Sequence, residues 1–227
     1  TTSASATAEK IIVWATDGPL TRAAAVVDLV EPGGYYSTGL LAIKSTKDEH
    51  GHEVREYIDN RGRVVLKKVQ AAPSINLNST TEWALTYYVY DDFGNLTYVL
   101  PPEFSKFLHE GSDTYPISGT DLARWAFLYT YDGRRRMITK QVPGADPVHM
   151  VYDNRDRLVL TQDGQQRLTN KWSFTKYDAL NRPVSTGVYT NAASRSALQT
   201  TINNYYTTLT AAQAWFETYT GSGMHGY

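Results

Sequence analysis

The chain has 227 residues, enough to bury a substantial core in one domain or two. Its 22 Lys and Arg against 23 Asp and Glu leave a formal net charge of −1, which excludes the general basic surface that neutralises phosphates, so nucleic acid is not an expected partner. The lack of cysteine excludes disulfides and thiolate metal sites while leaving the redox compartment open, and no apolar run approaches the roughly 18 residues that suggest a membrane span.

Tyrosine counts 17 against 6 phenylalanines, which suits a sheet whose faces are partly wet, because the ring packs while the hydroxyl finds a partner or solvent. Residues 1–40 read as a lead-in, Ala- and Thr-rich with the short apolar run KIIVWAT at 10–16. The opening TTSASATAEK has no Met, no basic start and no apolar stretch of useful length, so the expectation is that it is no signal peptide and that the chain is a piece of something longer. DEHGHE follows at 48–53. His-x-His chelates a metal when alternate strand residues face one side, but Gly51 within a polar cluster just before a strand pattern is a hairpin-loop signature, and a loop is the expectation.

Residues 41–190 hold a phrase that returns five times: YIDNRGRVVLKK at 57–68, VYDDFGNLTYVL at 89–100, TYDGRRRMITKQ at 130–141, VYDNRDRLVLTQ at 151–162 and KYDALNRPVSTG at 176–187. Each Asp (Asp59, Asp91, Asp132, Asp153, Asp178) stands four residues before Arg63, Asn95, Arg136, Arg157 or Arg182. Tyr90, Tyr131, Tyr152 and Tyr177 directly precede four of the five. Intervals of 32, 41, 21 and 25 residues between the Asp positions describe a fixed unit with variable connections. Residues on either side alternate as hairpin strands do, and Asp at the first turn position accepts hydrogen bonds from the backbone that follows. The residue before the Arg position is Gly62, Gly94, Arg135, Asp156 or Asn181; all but Arg135 tolerate positive φ, as a type I turn with a G1 bulge demands. At Arg135, Gly133 is expected to move the turn. Each Arg is expected to pair with its own Asp across the hairpin neck, its guanidinium over the preceding Tyr.

Between the second and third units, PPEFSKFLHE (101–110) and TDLARW (120–125) predict short helices, the latter with Thr120 as N-cap. Residues 191–227 form a C-terminal segment whose stretch NAASRSALQTTINNYY (191–206) predicts the best helix, with Leu198, Ile202 and Tyr205 on one stripe and Ser194 as cap. The Gly-rich tail TYTGSGMHGY is expected to be frayed or cut from its continuation.

Tyr-Asp, variable residues, Gly or Asn, then Arg and an apolar strand resembles the YD repeat of the RHS (rearrangement hotspot) family of bacterial proteins. The resemblance covers roughly residues 40–190 and includes the connector at Pro143 and Gly144; Asn95 stands where the family has Arg, and Ile58 where it has Tyr. It implies a mainly β fold in which antiparallel hairpins, with a few short helices, form a curved sheet or partial shell. It also implies a secreted or cell-surface location and a C-terminal toxin or effector as cargo, with the other repeats of the same polypeptide as partners. The self-cleaving aspartate motif that ends such shells has no counterpart here, so the piece is expected to be wall.

Two other functions are weighed. A carbohydrate-binding module at a cell surface would stack sugar rings on exposed Tyr and Trp, such as Trp83, Trp125 and Trp172. A hydrolase has only scattered acidic residues in its favour: His109, His149 and His225 are dispersed, and no G-x-S-x-G, P-loop or H-E-x-x-H pattern occurs. Asp91 and Asp92 lie in a turn that already accounts for them. The expectation is a protein that is not an enzyme, with no catalytic residue, cofactor or metal.

Overall fold

The structure is a computed structural model describing residues 9–16, 20–22, 30–31, 34–73, 82–110 and 117–208. Two compact units divide the chain, Thr1–Leu128 with Val142–Gly144 and Tyr129–Gln141 with Ala145–Tyr227. The lead-in of the first unit contains β1 (Trp14–Ala15), β2 (Thr21–Arg22), β3 (Val30–Glu31) and β4 (Tyr35–Tyr36), paired β1 with β2 and β3 with β4, which composition alone did not suggest. Then come β5 (Ala42–Lys47), β6 (Glu53–Ile58), β7 (Val64–Gln70), β8 (Trp83–Tyr90) and β9 (Leu96–Leu100), followed by α1 (Pro102–Glu110), α2 (Gly119–Trp125) and β10 (Phe127–Tyr131).

The reason these segments are strands is visible in β8, where Trp83, Leu85, Tyr87 and Val89 are buried and the residues between them are not. That period of two places one face of the strand in a core with Ile11, Ile12, Leu20, Phe104, Leu108, Ile117 and Leu122. Fully burying an aliphatic side chain of this size contributes about 1.5–3 kcal/mol. The lead-in is also tied down by charge. Glu9 accepts from the Tyr57 hydroxyl at 2.5 Å and from Lys68 Nζ at 3.0 Å, with Arg55 3.6 Å away. Burial pushes the Lys68 ammonium down from its usual pKa while the Glu9 carboxylate opposes the shift, so Glu9 is what makes a buried lysine tolerable.

The second unit contains β11 (Met137–Gln141), β12 (Val148–Tyr152), β13 (Leu158–Gln162), α3 (Gly164–Leu168), β14 (Lys171–Tyr177), β15 (Pro183–Thr190) and α4 (Arg195–Thr208). Its core is Val151, Val159, Leu160 and Trp172 from the strands with Leu198 and Ile202 from α4. Strands β5 to β15 form one antiparallel sheet of 11 in strict sequence order, with β5 and β15 as its end strands among the described residues. The described residues are therefore mainly antiparallel β, as the repeats predict, with four short helices among them.

The helices agree with expectation except at the cap of α2 and at Tyr205, and one helix, α3, is additional. The cap of α2 is Ser118, whose hydroxyl accepts from the Asp121 amide, and Thr120 lies inside the helix. The helix α3 was not anticipated; its five residues are held by a reciprocal capping box between Asp163 and Gln166. Helix α4 starts at Arg195, with the Ser194 hydroxyl accepting from Ala197 N; Leu198 and Ile202 are buried and Tyr205 only partly so. The tail at 218–227, with His225, lies outside the described residues.

Candidate functional site

Each repeat closes on the same turn. The Asp N–H donates to the carbonyl four residues on, at 2.9 Å for Asp59 and 3.0 Å for Asp91, Asp132, Asp153 and Asp178. The residue before that carbonyl returns a hydrogen bond to the Asp oxygen and has φ of 78° at Gly62, 83° at Gly94, 62° at Arg135 and Asp156 and 63° at Asn181. Arg135 adopts the left-handed conformation in place, so Gly133 does not displace the turn. Register shifts at Tyr57/Ile58, Val89/Tyr90, Val151/Tyr152 and Lys176/Tyr177 mark the accompanying bulges.

The aspartate is the hub. One carboxylate oxygen of Asp59, Asp132, Asp153 and Asp178 accepts backbone N–H groups two and four residues on, and the other accepts from Nε of the following Arg, at 2.8 Å from Arg63 and 2.7 Å from Arg136. Asn95 imitates this with its side-chain amide, donating to Asp91 at 2.8 Å. Burial alone would raise the Asp59 and Asp132 carboxyls, but the turn amides and the guanidinium outweigh it and hold both below the ordinary value. For Asp178 the Arg182 amide leads the same downward shift.

The expected stacking of each Arg on the preceding Tyr is corrected. Arg63 lies over Tyr90, Arg136 over Tyr152 and Arg157 over Tyr177, at 4.8, 5.0 and 5.0 Å from the ring centroids, so each of these three grips the Tyr of the following hairpin. That Tyr hydroxyl donates back to the carbonyl just after the Arg: Tyr90 to Val64 at 3.1 Å, Tyr152 to Met137 at 2.7 Å and Tyr177 to Leu158 at 2.8 Å. Arg136 Nη1 also reaches the Asp153 carbonyl at 3.1 Å and the Asp156 carboxylate at 2.9 Å; Arg157 Nη1 reaches Asn181 Oδ1 at 3.2 Å. Burial raises the Tyr90, Tyr152 and Tyr177 hydroxyls and the neighbouring guanidinium partly offsets it, so all three remain donors at neutral pH.

One register underlies the three contacts. Leu66 pairs with Tyr87, Thr139 with His149 and Leu160 with Phe174; in each case three residues further along, the Arg stands opposite the Tyr.

The hairpin loop expected at 48–53 proves to be a sixth turn of this kind. The Asp48 N–H donates to the His52 carbonyl at 3.0 Å, Gly51 has φ 83°, the His50 and His52 amides donate to Asp48 Oδ1, and His52 Nδ1 lies 3.3 Å from Asp48 Oδ2. His52 takes the Arg place. The spacing Asp48-x-x-Gly51, shared with Asp59-x-x-Gly62 and Asp91-x-x-Gly94, was the available signal. DEHGHE is thus a hairpin turn, and no group of three or more His, Cys, Asp or Glu able to hold a metal occurs among the described residues.

Trp83 and Trp172 are 2% and 0% exposed, so neither offers a ring to a sugar; Trp125 is 42% exposed, beneath the Arg124 guanidinium.

No family model matches the chain, and no curated protein matches it. Among solved structures it is similar to TcdB2-TccC3-TEV, to TcdB2-TccC3-Cdc42 and to TcdB2-TccC3 without its hypervariable C-terminal region, each at 18% identity and a TM-score of 0.44. The likeness covers 63%, 63% and 62% of this chain and 6% of each of those chains.

Proposed function

We propose that this chain is a stretch of structural wall in a larger YD-repeat polypeptide of the RHS type, exported or displayed at the cell surface, that encloses a segment of the same polypeptide such as a toxin or effector. The observation that carries the reading is the Arg-to-Tyr lock, repeated at one register from hairpin to hairpin. A device that adds identical hairpins side by side makes sheet area, which is what an enclosure requires and a catalytic centre does not. The turn chemistry leaves little reactive capacity: the carboxylates accept from their own turn amides and guanidiniums, and the tyrosines donate to carbonyls. The wall accordingly has no catalytic role and takes no cofactor.

The test is cryo-electron microscopy of the full-length polypeptide containing these residues. Strands 42–190 lining one side of a closed interior support the reading. The same strands in a free-standing domain, with no enclosed volume beside them, overturn it.

A further inference from the structure

We propose that the outer edge of β15 is a docking surface for the tyrosine strand of one more hairpin of this kind, carried by another polypeptide segment, with Arg182 and the Pro183 carbonyl as its recognition pair. Arg182 is held by Asp178 in the same turn as its counterparts, with Nε donating to Oδ2 at 2.7 Å. Yet its side chain is 71% exposed, whereas Arg63, Arg136 and Arg157, each gripping a tyrosine, are 25%, 12% and 10% exposed. Among the described residues no further hairpin lies beside β15, which ends the sheet there, and this accounts for the difference.

The edge itself is unguarded. Its sequence PVSTGVYT has no charged residue, and Val184 and Val188 are 56% and 61% exposed, whereas edge strands that must stay single are commonly blunted by charge. The opposite edge strand β5 has Lys44 and Lys47. Pro183 lacks an N–H, but the lock uses only the carbonyl at that position, as it does at Val64, Met137 and Leu158.

The lock specifies the occupant: an antiparallel strand whose Tyr, followed by an Asp turn, lies opposite Arg182 and donates its hydroxyl to the Pro183 carbonyl. A second copy of this chain meets that requirement only with a Tyr-Asp strand; its own β5 runs into the Asp48 turn, which Thr46 and Lys47 precede, and brings no such tyrosine. The inference rests on the wall reading and extends it to a named edge.

The probe is a fluorescent peptide with the sequence of residues 171–190, titrated into the full chain. Saturable binding of one peptide per chain is expected. Tyr177→Phe in the peptide should weaken it about three- to tenfold through the lost hydroxyl bond, and Arg182→Ala in the chain about tenfold or more. The cysteine-free chain also permits a register test. By analogy with Thr161 opposite Ser173, a Thr186→Cys chain oxidised with glutathione disulfide should capture a Ser173→Cys peptide and not a Thr175→Cys peptide. Absence of saturable binding, binding indifferent to both substitutions, or capture at the shifted position each overturns the proposal. None of these results bears on whether residues 42–190 line an interior in the full-length map, so the two readings fail separately.

Discussion

Gly94 and Arg63 are neighbours through the lock, and the pair is incomplete. In the second unit the residues at the equivalent turn position, Asp156 and Asn181, hand a side-chain oxygen to the preceding arginine. Gly94 has none to give, and Arg63 Nη1 is buried without a hydrogen-bond partner, 3.8 Å from where a Cβ on Gly94 would lie. Asparagine tolerates the left-handed conformation and narrows the unfolded ensemble relative to glycine. Gly94→Asn is therefore expected to raise stability by up to about 1 kcal/mol, and to lose that gain in an Arg63→Ala background. Gly94→Val should cost about 1–2 kcal/mol, because φ of 83° strains a β-branched residue. Urea titrations of the variants decide it, and equal midpoints for Asn and Val would remove the turn argument. The aspartates give a second residue-scale expectation. Asp59, Asp132 and Asp178 have folded-state pKa values below their unfolded ones. Their stabilisation is thus complete above the unfolded value near 4 and is lost as pH falls through the folded values. The urea midpoint should hold from about pH 7 to 5, fall below about 4, and fall less steeply in Asp132→Asn; a midpoint that rises on acidification contradicts the assignment.

Bulges that redirect a strand leave backbone groups without a ladder partner, and α4 meets that need at β12. The Gln199 side chain accepts from the Tyr152 N–H at 3.0 Å and donates to the Tyr152 carbonyl at 2.6 Å, completing the backbone where the register shifts. Gln199→Ala removes both bonds and should destabilise by about 1–3 kcal/mol, while Thr200→Ala, on the exposed side of the helix, should change little. Similar losses from the two would mean that α4 contributes only its apolar stripe. The stripe was legible: the spacing of Leu198 and Ile202 and the cap at Ser194 are local signals, as are the Asp-to-Arg offset and the helix at 101–110. What stayed hidden depends on partners far away in sequence or on substituted motifs. Nothing within one hairpin says which tyrosine an arginine will cover, since that follows from the pairing of β7 with β8 or β13 with β14. The hairpin loop at 48–53 is legible from Gly51 and its polar neighbours, but its kinship with the repeat turn is not, because Lys47 and His52 stand where the repeat has Tyr and Arg. Trp83 and Trp172 looked available for sugars because composition does not report which face of a strand is covered.

Sheet register along the chain is conserved while the connectors are not. Residues 71–82, 142–147 and 163–170 link β7 to β8, β11 to β12 and β13 to β14, and the last of these contains a helix; still each link delivers a tyrosine to the same place opposite an arginine. A loop that set register by its geometry would not do so at three different lengths, whereas a lock between fixed partners does. The connectors are then free to vary, and the insertion between β9 and β10 shows how far, since α1 and α2 lie within it and cover the first core with Phe104, Leu108 and Leu122. In the proposed wall, this would separate the part that must repeat from the part that can carry new surface. It follows that six Gly and Ser residues inserted after Pro73 should cost well under about 1 kcal/mol, the entropy of a moderately longer loop. Arg63→Ala, which leaves that connector intact but removes the ring contact and the bonds to Asp59, should cost about 1.5–3 kcal/mol. Urea unfolding of both variants beside the parent chain gives the comparison. An insertion as damaging as the loss of Arg63 would place the register in the connector, and the lock would then be a consequence of the pairing instead of its cause.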